Sequence, residues 1–257
     1  MTSTRDGLLA QISQVYQSSR KKRDIFWNTY VARPAAAGLV WGLARTPITP
    51  NQVSFLGGVV FLGVAAILVG WSSPWAMLAA GLVLQASYVL DCADGQLARL
   101  TGMTSPVGAY LDFLIDEFKA LILVGACCVR LWGQSDDPLW LLLGCGGIAL
   151  VSVATSLTTF VRRPAYAGAE IKPGVQAARP VPKGIVGKVV WAIESVSKWL
   201  IHYPSWFLYI ALVEALTPLN GALWFLVLFL GVYVLYTART TLAVVRRLGS
   251  PHFYTKE

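Results

Sequence analysis

A chain of 257 residues that is 56% hydrophobic and only 13% charged is not built like a soluble domain, in which about 25% of residues are charged. Its charge leans basic, with 21 Lys and Arg against 13 Asp and Glu. On so apolar a chain that excess points first to membrane topology and anionic headgroups and only then to nucleic acid, and no nucleic-acid partner is expected.

The N-terminus lacks the short apolar stretch and cleavage site of a signal peptide. Instead residues 1–48 read as a cytoplasmic, basic, interfacial segment. Leu8, Leu9, Ile12, Val15 and Tyr16 recur at helical spacing, and Phe26, Trp27, Tyr30 and Val31 follow a basic cluster. That pattern predicts an amphipathic helix lying in the membrane interface; the plainer reading is a basic tail.

A spanning helix needs about 20 mainly apolar residues, and six segments qualify. The first opens at Thr49-Pro50, a cap followed by proline at the first helical position, and runs to about Gly70. The second opens likewise at Ser73-Pro74 and ends near Arg99. The third runs from about Ser105 to Leu131, and the fourth from Pro138 to Phe160. The fifth has an amphipathic lead-in near Gly187 to Lys198 and an apolar part from Ser205 to Leu216. The sixth runs from about Leu219 to Val245. The fold class expected is therefore an all-α membrane protein of six transmembrane helices, residues 49–247, with a short cytoplasmic tail, 248–257.

Orientation follows from the basic residues. With the N-terminus cytoplasmic, Arg20, Lys21, Lys22, Arg23, Arg33, Arg45, Arg162, Arg163, Lys172, Arg179, Lys183, Arg246 and Arg247 all fall on that side. The opposite loops are short, and one carries Asp136 and Asp137 beside Arg130. This satisfies the positive-inside rule and puts the turn at residues 100–104 on the cytoplasmic side. Cys92, Cys127, Cys128 and Cys145 sit in apolar segments without a CxxC pair and read as small core residues. Gly144, Gly146 and Gly147 would let helices pack closely. His202 and His252 read as structural.

Four aspartates break the apolar pattern. Asp91 and Asp94 lie one turn apart near the end of the second span, and Asp112 and Asp116 lie four apart at the start of the third. A short connection makes the two helices neighbours, so the carboxylates converge a turn or two below the cytoplasmic surface. An intramembrane carboxylate costs at least ~2.5–3.5 kcal/mol, and several together repel unless cations sit among them. Oxygen ligands suit magnesium, manganese or calcium, and a pair of bridged ions serves phosphoryl chemistry. Gly95 and Gly108 remove side chains beside the carboxylates, leaving room for a diphosphate, and Arg99 offers a fork of donors to its oxygens.

Asp91, Asp94, Gly95, Ala98, Arg99, Gly108, Asp112 and Asp116 fit the pattern D-x2-D-G-x2-A-R-x8-G-x3-D-x3-D without an insertion. This resembles the signature of the CDP-alcohol phosphotransferases. The resemblance implies transfer of a phosphatidyl group from a CDP-alcohol to an acceptor hydroxyl with release of CMP, in phospholipid synthesis. By it, the four aspartates hold two Mg2+ or Mn2+ ions and Asp116 is also the general base. Gly95, Ala98, Arg99 and Gly108 line the nucleotide site, and Asn51, in a Thr-Pro-Asn stretch common in the family, lies near it. It further implies a homodimer and, as in compact bacterial members, an inner-membrane enzyme with its site facing the cytoplasm.

The acceptor is less defined. Lys119 shares a face with Asp112 and Asp116 and either binds an acceptor phosphate or offsets carboxylate charge. Arg162, Arg163 and Arg239 either hold such a phosphate or are headgroup-level charges. Glu117 stands where many relatives using glycerol phosphate or inositol phosphate have arginine, whereas the segment before Thr49 faintly resembles inositol-phosphate-transferring relatives. CDP-diacylglycerol with a polar alcohol is the expected substrate pair. Its alternatives are a soluble CDP-alcohol with a lipid hydroxyl, a divalent-cation transporter, and a non-catalytic scaffold.

Overall fold

The computed structural model describes residues 2–21, 24–168 and 202–248, together with 184, 185, 187–189, 191, 192 and 196. Lys22, Arg23, Lys172, Arg179, Lys183, His252, the tail 249–257 and half of the lead-in to the fifth span lie outside the described residues. Among the described residues every regular element is a helix. The chain divides into two compact units, Met1–Lys119 with Pro204–Gly221, and Ala120–Tyr203 with Ala222–Glu257.

The first unit begins with α1 (Thr2–Ser19). Ile12, Val15, Tyr16 and Ser19 form its inward stripe at helical spacing, whereas Leu8 and Leu9 are exposed. The Tyr16 hydroxyl donates to the Thr29 carbonyl at 2.9 Å. A π-helical turn, Asn28–Ala32, then leads into α2 (Arg33–Leu43). Phe26 and Tyr30 stay exposed while Trp27 donates its indole N–H to Gln85 Oε1 at 3.1 Å.

Two caps read from the sequence are in place. Thr49 and Gln52 form a reciprocal capping box at the start of α3 (Pro50–Gly70), with Pro50 at its first turn. Ser73 Oγ accepts from Trp75 N at the start of α4 (Pro74–Thr101). Helix α4 ends at Gly102, whose φ of 73° is open to glycine at no steric cost. Ser105 then caps α5 (Pro106–Ser135), its Oγ accepting from Gly108 N at 2.9 Å.

Helices α3 and α4 approach closely at Gly57. A Cβ there would lie 3.4 Å from both Leu90 Cβ and the Ser87 carbonyl, and Ser87 Oγ donates to the Gly57 carbonyl at 2.8 Å. The core under them is assembled from small side chains, including Ala32, Ala36, Val53, Cys92 and Ala93. Close backbone approach is what holds helices together where lipid is as apolar as the interface.

The second unit holds the rest of α5, α6 (Leu139–Arg162), the short α7 (Pro164–Ala167) and most of the last helix. Of the three glycines expected at a helix contact, two are enclosed within this unit. A Cβ on Gly144 would lie 3.0 Å from Cys128 Cβ, and one on Gly147 would lie 2.9 Å from Val124 Cγ1. Gly146 has nothing within 4 Å of a Cβ among the described residues. Cys92, Cys127 and Cys128 are buried as expected, but Cys145 is exposed, because it shares the outer face of α6 with Leu141 and Leu142.

Helix α8 (Tyr203–Leu216) has 14 residues, about 21 Å at 1.5 Å per residue against a hydrocarbon core of ~30 Å. Glu214 beside its end is buried, and its Oε2 accepts from Gly221 N, capping α9 (Gly221–Leu248). Among the described residues four helices, α3, α4, α6 and α9, are long and apolar enough to cross a membrane. Helix α5 is long enough, with 30 residues, but it carries Asp112, Asp116, Glu117, Lys119 and Arg130.

Candidate active site

The site is built where the last turns of α4 meet the first turns of α5. Asp91, Asp112 and Asp116 each bring a carboxylate oxygen within 4.8 Å of the others. Oxygen-only donors at that spacing fit a hard divalent cation. Their exposure is graded: the Asp91 side chain is 17% exposed and that of Asp116 is 54% exposed. Asp94 and Glu117 are not part of the group. Asp94 lies deeper, at 6% exposure, and accepts a hydrogen bond from Ser54 Oγ of α3.

Lys119 enters the same cluster from α5. It is 5% exposed, and its Nζ donates to Asp91 Oδ1 at 2.8 Å and Asp116 Oδ1 at 3.3 Å. That contact offsets carboxylate charge.

Arg99 is fixed at one end and open at the other. Its Nε donates to the Ser19 carbonyl, the last residue of α1, at 2.6 Å. Its Nη2 is buried with no hydrogen-bond partner among the described residues. A Cβ on Gly95 would lie 3.3 Å from Nη1, so glycine at that position leaves the guanidinium uncovered. Buried donors are nearly always satisfied, and one left open beside carboxylates and a glycine suits an anionic ligand.

Gly108 does the same on α5. A Cβ there would meet Asn51 Oδ1 and Ser105 Oγ, each at 3.2 Å. The Thr-Pro-Asn stretch is thereby brought to the glycine of the aspartate pattern. Ala98 is half-buried on α4. Arg162, Arg163 and Arg239 belong to the second unit, the first half-buried and the other two exposed.

Sequence reasoning missed Ser54, Ser19 and Ser105. Ser54 had a readable signal, since it falls on the stripe Pro50, Ser54, Gly57, Phe61, Val64 and Leu68, all buried on α3. A polar side chain on that stripe needs a partner. Ser19 acts through its carbonyl, which no side-chain pattern reveals.

Residues 47–217 match the CDP-alcohol phosphatidyltransferase family, and the chain belongs to it: it is a membrane transferase of the CDP-alcohol phosphotransferase class. It is 25% identical over 169 residues to the phosphatidylinositol phosphate synthase of Cutibacterium acnes, covering 64% of this chain and 75% of that one. It is 32% identical over 107 residues to a bifunctional IPC transferase and DIPP synthase of Aquifex aeolicus, 42% of this chain and 24% of the relative. It is also 37% identical over 84 residues to the archaetidylinositol phosphate synthase of Pyrococcus horikoshii, 32% of this chain and 43% of the relative. The chain thus spans less than half the length of the last two. Helices α1 and α2 lie ahead of the matched region, yet α1 supplies the carbonyl that fixes Arg99.

Proposed function

We propose that this protein transfers a phosphatidyl group from CDP-diacylglycerol to the hydroxyl of a polar, phosphorylated acceptor, releasing CMP. The observation that carries this reading is the meeting of Asp91, Asp112 and Asp116 within 4.8 Å, in the register of the family signature. Two divalent ions held by Asp91, Asp94, Asp112 and Asp116 would neutralise the diphosphate of the donor and the charge that develops on departing CMP.

The chain's own groups do the rest. Arg99 binds a phosphate oxygen through its open Nη2, and Gly95 and Gly108 leave the backbone bare for the nucleotide. Ala98 keeps the same wall small, and Asn51 polar. Asp116, the most exposed of the three grouped carboxylates, takes the proton of the acceptor hydroxyl as that oxygen attacks phosphorus. Arg162, Arg163 and Arg239 are the acceptor-phosphate residues of this reading. Inositol phosphate is the first acceptor to test, because two of the relatives are named for inositol phosphate products.

The same reading includes the six-span plan over residues 49–247, with α5 and α8 completing the four apolar helices, and α1 lying in the interface. It places the site on the cytoplasmic side of a bacterial inner membrane, in a homodimer. The basic residues Arg20, Lys21, Arg33, Arg45, Arg246 and Arg247 support that side.

The test is CMP release by purified protein in detergent with Mg2+ and CDP-diacylglycerol, acceptors being offered singly: inositol phosphate, glycerol phosphate, inositol, glycerol and serine. EDTA and Asp116→Asn should each abolish release while the protein stays folded. Release only from a soluble CDP-alcohol with diacylglycerol would reverse the substrate pair. Metal flux into vesicles without CMP would replace the enzyme reading with a transporter.

A further inference from the structure

Lys119 is an expensive residue to bury. A lysine 5% exposed inside an apolar helix bundle persists only where anions hold it. Its neighbours along α5, Ala120 and Leu123, are buried and apolar, so the carboxylates are what it has to hold. It stands one turn after Asp116 on the same helix and reaches across to Asp91 on α4, 28 residues earlier. The ammonium therefore ties together two members of the carboxylate group that fits a divalent cation.

Charge counting shows what this does. Fully ionised, Asp91, Asp94, Asp112 and Asp116 would carry four negative charges, of which Lys119 offsets one. Without any cation the two helix ends would repel each other; with Lys119 they are bridged. The same positive charge opposes a divalent ion approaching the same carboxylates, and it favours an anionic diphosphate once that ion is bound.

We propose that Lys119 is a resident cation of the site, a positioning residue that holds Asp91 and Asp116 together in the metal-free protein and lowers the affinity of the cluster for divalent metal. The inference rests on the metal-dependent reading above and adds to it a residue outside the eight signature positions. It also sets Lys119 apart from the acceptor site. Its loss should change how tightly metal binds, and not how tightly the acceptor binds.

The test uses the full-length protein in detergent, with Mn2+ as the probe. Free Mn2+ is followed by electron paramagnetic resonance during titration of wild type, Lys119→Met, Lys119→Gln and Lys119→Arg. Unfolding temperatures are recorded with EDTA and with saturating Mn2+. Both neutral variants should bind Mn2+ roughly tenfold more tightly, unfold at lower temperature in EDTA, and gain more from Mn2+ than wild type. Lys119→Arg should restore wild-type behaviour in both. Lys119→Gln, which keeps a polar N–H donor without the charge, keeps the comparison available if the apolar variant does not fold. Saturable Mn2+ binding by wild type that is unchanged or weaker in the neutral variants would overturn the inference and leave the metal site standing. A raised acceptor KM with unchanged Mn2+ affinity would instead make Lys119 an acceptor ligand. No saturable Mn2+ binding by wild type would overturn the metal reading and this inference together.

Discussion

Ser54 of α3 donates its hydroxyl hydrogen to a carboxylate oxygen of Asp94 on α4, and the two residues are 8% and 6% exposed. This bond comes from outside the α4–α5 hairpin that carries all four aspartates. Ser54→Ala would leave a buried carboxylate short of a donor, at a cost of about 1.5–3 kcal/mol for a hydrogen bond to a charged group. The expected outcome is a lower unfolding temperature in detergent and slower CMP release, with Ser54→Thr recovering both. An unchanged unfolding temperature would remove Ser54 from any supporting role.

Asp24 anchors the segment ahead of α2. Its carboxylate pairs with Arg33 and accepts from Asn28 Nδ2 at 2.8 Å and Ile25 N at 2.9 Å, while Tyr88 of α4 donates to Asn28 Oδ1. Burial pushes this carboxyl up, but Arg33 and the hydrogen bonds together bring it below its ordinary value of 3.8. A carboxyl lowered in the folded state contributes stability that is complete above its unfolded value and is lost as pH falls through its folded one. The contribution is therefore present at neutral pH and fades below about pH 4, near the unfolded aspartate value. Asp24→Ala should cost about 3 kcal/mol at pH 7, the lower end for breaking a buried pair. Asp24→Asn should flatten the acid limb of unfolding temperature against pH.

Much of the site was legible because its chemistry is local. Asp91 to Asp116 fall within one helix-turn-helix, so helical spacing brings Asp91, Asp112 and Asp116 to one place while Asp94 lies deeper against Ser54, and Thr49 and Ser73 announce their helices by capping chemistry. The parts that were not legible are those set by distant backbone or by length. The Ser19 carbonyl meets Arg99 across 80 residues, and the π-turn at Asn28–Ala32 has no compositional sign. The pairing of Lys119 with Asp91 depends on the rotation of α5 against α4. Six apolar stretches could be counted from sequence, yet the charges on α5 and the 14 residues of α8 keep both off the set defined by length and apolarity.

Gly147 tests packing away from the site. A Cβ at this position would come 2.9 Å from Val124 Cγ1 and 3.1 Å from Leu230 Cδ1. Gly147→Ala should therefore overpack α6 and cost about 1–3 kcal/mol, read as a lower unfolding temperature in detergent. Gly146→Ala, whose new methyl meets nothing within 4 Å, is the matched control and should be neutral or slightly stabilising, since alanine is the better helix former. Equal effects of the two would show that the close approach at Gly147 does not exist in the folded protein.

Arg99 gives the sharpest division between binding and folding. Its Nε is tied to the Ser19 carbonyl at 2.6 Å and its Nη2 is buried with no hydrogen-bond partner among the described residues; in the proposed function the first nitrogen serves the fold and the second binds the donor. Lysine keeps the charge but lacks the rigid fork of separated nitrogens, so its ammonium cannot lie against the Ser19 carbonyl and also fill the Nη2 position. Arg99→Lys should raise the KM for the CDP donor at least roughly tenfold, the effect of about 1.4 kcal/mol, with a smaller change in kcat if the lost contact is made equally in ground and transition states. The acceptor KM should stay where it is. Deleting residues 2–19 should move the donor KM in the same direction, because it removes the carbonyl that orients the guanidinium. Combined with Arg99→Lys, the deletion should add little, as expected of two changes acting through one contact. A deletion that leaves donor KM unchanged would show that Arg99 is oriented without α1.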